Sequence, residues 1–357
     1  MTQRERLAHM VKPLLVWFEE NRRPLPFREG RDAYRIWVSE IMLQQTRTAA
    51  VIPYFERFMS RFPTVYALAE ADEDEVHKLW EGLGYYSRAR NLLRTAKLLV
   101  AHYDGILPRT AAELSKLPGI GDYTAGAIAS IAYGEPEPAV DGNVLRVVMR
   151  VLASDRDIAD VRVKREVKEM LSAVYPSGDA AGSLTEAIME LGESVCIPNG
   201  APKCEKCPIC KQCYAYQGQI VSLFPVKSPK KPRKIEKRTI LLLTDGERFV
   251  LRQRPSHGLL GGLYEPINLE GDMTEDAVRS RLLALGYGVR SISPLSAAVH
   301  IFTHVEWQMS TYLVYIETPK DAPAGDLLLS PQEILASYAI PSAFRHVSPY
   351  LKGSKTI

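Results

Sequence analysis

All five cysteines of the chain fall in one short stretch, Cys196-x7-Cys204-x2-Cys207-x5-Cys213, with Cys210 inside the last gap. An odd number packed so closely argues against a disulfide framework, and nothing else in the chain points to an oxidising compartment. Four thiolates on short loops can close around one metal centre. Spacing alone leaves zinc, an iron–sulfur cluster and free thiols open. Lys203, Lys206 and Lys211 interleave with the cysteines. They can offset an anionic thiolate site or turn the loop toward a polyanion.

The stretch sits between two different textures, in a chain whose 357 residues are a prior for about two domains. Upstream, Val11, Leu14, Leu15 and Phe18 recur at helical spacing, as do Leu92, Leu93, Ala96 and Leu99. Downstream, 239–244, 248–252 and 309–316 are short runs rich in aliphatic, Thr and Tyr residues, the strand signature, with a helix predicted over 275–285. The fold class predicted is multi-domain. An all-α domain spans 1–220 and includes the cysteine loop at 196–213, a linker covers 221–236, and an α+β domain spans 237–353. Hydrophobic residues at 46% with 24% charged exclude wholesale disorder. No apolar run approaches a membrane span, and the charged N-terminus lacks a signal core, so a cytoplasmic, nucleoid-associated protein is expected.

The formal net charge is only +3. Between Lys227 and Arg238, however, seven Lys and Arg face a single acid, Glu236, and leave +6 on that stretch and a slightly negative remainder. Pro225, Pro229 and Pro232 lie in or beside it, so it reads as a stiff, extended connector. Such a connector can lie along phosphates, with Lys230, Lys231, Arg233 and Lys234 as its contacts.

Three segments carry residues able to do chemistry. Leu117-Pro118-Gly119-Ile120-Gly121-Asp122-Tyr123 has a helix end, a tight turn and a helix start, which leaves backbone amides free to bind an anion. In Val140-Asp141-Gly142-Asn143-Val144, Asp141 reads as the N-cap of the next helix, and equally as a carboxylate at a site mouth. Glu40 is one acid among Trp37, Val38, Ile41 and Met42, with no Lys or Arg three or four positions away. An apolar setting raises a carboxyl pKa and suits it to hold and donate a proton near neutrality.

These segments, with WVSEIMLQQT and GLGYYSRARNL, resemble in order and content the helix–hairpin–helix DNA glycosylases of the endonuclease III superfamily. The resemblance is densest to the adenine DNA glycosylases of the MutY type and runs from about residue 10 to about 350. It implies a base-excision-repair enzyme that grips duplex DNA through the 117–126 hairpin, with Gly119 and Gly121 in the turn. The enzyme would flip out adenine mispaired with 8-oxoguanine or guanine and remove it hydrolytically. Glu40 is then the acid that protonates adenine at N7, Asp141 the carboxylate facing the sugar cation, and Tyr123 and Asn143 the groups that orient them. Tyr123 stands where bifunctional relatives carry Lys, so no Schiff base can form. Arg28 and Glu186 would line the adenine pocket, and Gln45 and Tyr85 would wedge into the duplex. Phe27 replaces the family's usual Trp.

By the same resemblance Cys196, Cys204, Cys207 and Cys213 hold a 4Fe–4S cluster, with Cys210 spare and the first gap one residue longer than usual. The C-terminal domain resembles a Nudix fold whose helix, AVRSRLLALGYG, lacks the magnesium-binding carboxylates, so no pyrophosphatase activity is expected. Phe302, Thr303 and His304 would read 8-oxoguanine. A monomer is expected, and clamp or mismatch-repair partners stay unassigned. The weighed alternatives are a thymine-mismatch glycosylase, an endonuclease III-like glycosylase/lyase, and a non-catalytic lesion-binding protein.

Overall fold

The computed structural model describes residues 1–229, 232–318, 323 and 325–353. It divides into two compact units, one made of Met1–Glu70 and Asn91–Pro229, the other of Ala71–Arg90 and Lys230–Ile357.

The first unit is helical, as its periodicity predicts. Five of its helices position the site: α1 (Gln3–Asn21), α2 (Ala33–Leu43), α3 (Asp122–Tyr133), α4 (Gly142–Leu152) and α5 (Asp179–Ser194). A capping box of Thr2 and Glu5 starts α1. Its Leu7, Met10, Leu14 and Phe18 recur three or four residues apart and bury one face against Val144, Val148 and Val151 of α4 and Leu184, Ile188 and Leu191 of α5. Each such side chain contributes roughly 1.5–3 kcal/mol by leaving water. Helices α3 and α5 approach closely because Gly182 carries no side chain; a Cβ there would meet the Ile131 Cα at 2.9 Å.

The expected hairpin is present before α3. Gly119 takes φ +75°, and a Cβ on it would lie 2.6 Å from the Asn91 Cβ, so both conformation and space call for glycine. Gly121 has an ordinary φ of −83° and caps α3 with no side-chain bond to the first amides.

The second unit is built on one mixed sheet. Its strands are β1 (Lys234–Thr244), β2 (Phe249–Gln253), β3 (Tyr264–Glu265), β4 (Ile267–Glu270), β5 (Val289–Ile301), β6 (Val305–Ile316) and β7 (Asp326–Leu329). The order is β3-β2-β1-β6-β5, with β4 paired to β1 and β7 to β2. β1 and β6 run parallel at the centre, with Lys234 opposite Val305 and Thr244 opposite Tyr315. The run Ile240-Leu241-Leu242-Leu243 is buried on both faces. Ile240 and Leu242 pack with Trp307, Ile334 and Phe344; Leu241 and Leu243 pack with Val278 and Leu282 of the helix Glu275–Ala284. β5 escapes a pattern search because Pro294 interrupts it and its register shifts near Ser291 and again between Leu295 and Ala298. An edge strand tolerates both.

Two expectations are corrected. The basic stretch is not a tether throughout, because β1 begins at Lys234. There Lys234 and Arg238 both pair with Glu236, at 3.0 and 2.6 Å, and Arg233 Nε donates to the Phe302 carbonyl at 3.2 Å. Lys230 and Lys231 lie outside the described residues. The division is also not contiguous, since 71–90 groups with the sheet. Lys78 Nζ donates to the Tyr338 carbonyl at 3.0 Å, and Glu81 Oε1 accepts from Lys352 Nζ at 2.6 Å and from the Ile340 amide at 3.4 Å.

Glu236 is the hub of this corner. Hydrogen bonds from Arg238, Lys234 and the Trp307 indole hold its pKa down at about 2. A carboxylate depressed in the folded state stabilises above its ordinary pKa, and that contribution fades as pH falls toward about 2. Glu236→Gln should therefore lower the urea midpoint at neutral pH and flatten its fall between pH 4.5 and 2. An acid profile identical to wild type would show that these bonds add nothing.

Candidate active site and cysteine loop

Glu40 projects from α2 into a cavity of about 70 Å³ that Leu25, Phe27, Arg28, Thr48, Glu186 and Met189 help to line. The residue is only 5% exposed. Burial pushes its pKa up to about 7, against a hydrogen bond from the Tyr123 hydroxyl that opposes the shift. Its Oε2 has no hydrogen-bond partner among the described residues. The Tyr123 hydroxyl also lies 3.7 Å from Met189 Sδ, and burial raises this phenol well above its ordinary pKa, so it stays a neutral donor.

Asp141 caps α4. Oδ1 accepts from the amides of Asn143 and Val144 at 2.9 and 2.8 Å, and Oδ2 accepts from Asn143 Nδ2 at 2.8 Å. Burial raises its pKa while those three bonds and Arg146 pull it down. The cap reading holds, and the negative charge of Asp141 helps to raise Glu40.

Arg28 spans two acids of α5, Glu186 at 3.0 Å and Glu190 at 2.8 Å. Arg23 pairs with Glu190 and, at 2.6 Å, with Glu193. Burial raises Glu186, chiefly against the charges of Arg28, Arg31 and Arg22. Phe27 is buried and meets the Phe55 ring edge-on at 5.7 Å. Of the sequence candidates, Arg28, Glu40, Tyr123, Asp141, Asn143 and Glu186 belong to this one region of the helical unit. Gln45, just after α2, is exposed at φ +58° and does not line the Glu40 cavity. Tyr85 falls in the second unit, 48% exposed at φ +49°, with its hydroxyl 3.1 Å from Thr303 Oγ1. Such backbone is uncommon for non-glycine residues and collects at functional turns. Phe302 and His304 flank Thr303 in the β5–β6 turn, closed by the Phe302 amide on the Val305 carbonyl at 2.8 Å.

All five cysteines line one largely apolar cavity. Arg150 Nη1 donates to Cys196 Sγ at 3.2 Å, the Cys213 thiol donates to the Arg150 carbonyl at 3.3 Å, and Arg6 of α1 reaches the Gln212 carbonyl at 2.5 Å. Among the described residues no three His, Cys, Asp or Glu side chains converge on a single-ion site. Arg146 and Arg150 went unnoticed in the sequence, although two arginines four apart in the apolar run Gly142–Leu152 were a signal. Arg146 bonds Asn143 Oδ1 at 2.9 Å and the Cys196 carbonyl at 2.8 Å. Glu190, 2% exposed and four residues after Glu186, was missed likewise.

The model of the HhH-GPD superfamily of base excision DNA repair proteins matches residues 38–173, and that of the NUDIX domain matches 238–348. The adenine DNA glycosylase of Homo sapiens is 34% identical, over 96% of this chain and 74% of its own length. That of Arabidopsis thaliana is also 34% identical, over 94% of this chain and 63% of its own length. A solved thermostable thymine-DNA glycosylase superposes with a TM-score of 0.54 at 26% identity, covering 60% of this chain and 98% of that one. The chain belongs to the adenine DNA glycosylases, the base-excision-repair N-glycosylases that remove adenine from DNA.

Proposed function

We propose that the chain excises adenine paired with 8-oxoguanine, and more weakly with guanine, by a monofunctional hydrolytic route. The observation that carries this is Glu40, a buried carboxyl held near neutrality with one oxygen unsatisfied in a cavity. Adenine leaves poorly unless protonated, and a carboxyl with a pKa near 7 keeps a proton to give at working pH. Cleavage leaves positive charge on the sugar, and Asp141, fixed by three hydrogen bonds, supplies a preorganised negative charge to face it. Tyr123 orients Glu40 and, being a phenol, offers no amine for lyase chemistry. The Thr303 hydroxyl, joined to the Tyr85 hydroxyl, would read the opposite base. The thymine reading is weaker, because the solved thymine-DNA glycosylase is matched almost whole by 60% of this chain.

The cysteine loop fits a 4Fe–4S cluster. The donors are all sulfur, the lining is largely apolar, and Arg150 on Cys196 offsets thiolate charge. Cys196, Cys204, Cys207 and Cys213 would hold the cluster, which when bound would order the loop.

Glu40→Gln should slow single-turnover release of adenine from a duplex carrying adenine opposite 8-oxoguanine by about 10²–10⁴-fold. In the wild type the rate should fall as pH rises through about 7, as Glu40 loses its proton. A rate that climbs across that range would rule Glu40 out as the acid. Asp141→Asn should cut release by about 100-fold or more while duplex affinity persists; full activity in that variant would remove Asp141 from the chemistry. Freshly purified protein should be yellow-brown, with iron and acid-labile sulfide; a colourless, zinc-loaded preparation would refute the cluster.

A further inference from the structure

A second and larger cavity adjoins the one that holds Glu40. It measures about 320 Å³, within the usual range for small-molecule sites, whereas the Glu40 cavity, at about 70 Å³, falls below it. The two share a wall. Leu25, Phe27, Ile36, Ile131 and the Arg28–Glu186 ion pair line both cavities. Beyond that wall the larger chamber is formed by Phe18, Arg22, Pro24, Glu29, Arg31 and Ser183.

This lining suits a free purine. A purine has two apolar faces and a rim of ring-nitrogen acceptors, and adenine adds one exocyclic amine. The chamber offers apolar walls in Phe18, Leu25, Ile36 and Ile131. Arg22, Arg28 and Arg31 supply guanidinium donors, and Glu29 and Glu186 supply acceptors. Arg31 pairs with Asp179 and donates to Ser183 Oγ at 3.4 Å, which leads its guanidinium along the α5 side of the chamber. The Arg28 guanidinium lies 5.4 Å from the Phe18 ring centre, against the wall of the larger chamber, while it bonds Glu186 and Glu190. It can therefore turn along that ring without leaving an apolar support.

We propose that this chamber is an exit subsite for the excised base, with the Arg28–Glu186 pair as the gate between it and the catalytic cavity. The proposal rests on the adenine-excision reading above. When the bond from sugar to base breaks, its electron pair stays on the base nitrogen and the proton on N7 leaves the base neutral. The neutral purine can then replace the hydrogen bonds of the gate one at a time and pass from the catalytic cavity into the chamber.

The probe is free adenine, titrated calorimetrically into the full-length protein. Wild type should bind one equivalent. Ser183→Trp, which plugs the chamber from α5, should weaken that binding about tenfold or more. It should leave single-turnover excision unchanged, because Ser183 does not line the Glu40 cavity. Ser183→Leu, a smaller plug, decides the matter if the Trp variant does not fold; it should weaken binding while excising normally. Adenine binding equal to wild type in a folded, active variant would overturn the exit subsite, as would no binding to the wild type. Failure of the wild type to excise adenine would instead remove the functional reading, whatever the titration shows.

Discussion

The cap that Asp141 places on α4 is the interaction on which the rest of the helical unit depends. One carboxylate satisfies the amides of Asn143 and Val144 at the positive end of a helix dipole, and the Asn143 side chain holds its second oxygen. From there the helix carries a polar stripe at 143, 146 and 150, spaced three and four apart so that it stays on one face. Arg146 links Asn143 to the Cys196 carbonyl and, at 2.7 Å, to that of Gly192; Arg150 goes on to Cys196 Sγ and the Ile197 carbonyl. Every other face of α4 is apolar and buried. The thiol loop and the carboxylate are therefore fixed by the same eleven-residue helix, and disturbing either end strands a buried guanidinium.

The two acids differ by hydrogen bonding more than by depth. Desolvation raises the pKa of both. Asp141 receives three donors that favour its charged form, whereas Glu40 has one oxygen without any and a neighbouring negative charge in Asp141. Burial thus goes less opposed at Glu40, whose pKa rises to about 7, than at Asp141, where three donors and Arg146 work against it. Tyr123 sits between the two acids, since burial and their charges hold its phenol protonated and able to donate.

Much of this was legible in the chain. Glu40 announced itself as an unpaired acid in an apolar helix, and the hairpin glycine, the cap and the cysteine spacing follow from local rules. What escaped was set by long-range contacts. The 71–90 segment joins the sheet unit through Glu81, whose partners Ile340 and Lys352 lie more than 250 residues away. β5 hides behind Pro294 and its register shifts. The charge run was misread although it held the answer. Lys234, Glu236 and Arg238 alternate with period two, which places them on one face of a strand where opposite charges meet. A net +6 over the stretch concealed that order.

The ring of ion pairs around Arg28 poses a question of cost. Removing a guanidinium and two carboxylates from water is expensive, and their mutual attraction returns roughly what desolvation takes. Such a cluster is a poor way to gain stability and a suitable way to build a wall that opens. An apolar partition between the two cavities would present nothing for a purine rim to bind, so passage would have to break packing without compensation. Arg28 instead holds Glu186 and Glu190 by charge-assisted bonds that a heterocycle with acceptors and an amine can replace one at a time. Arg23 keeps Glu190 paired throughout, so opening the gate leaves only Glu186 to be satisfied. Burial already favours the neutral form of Glu186.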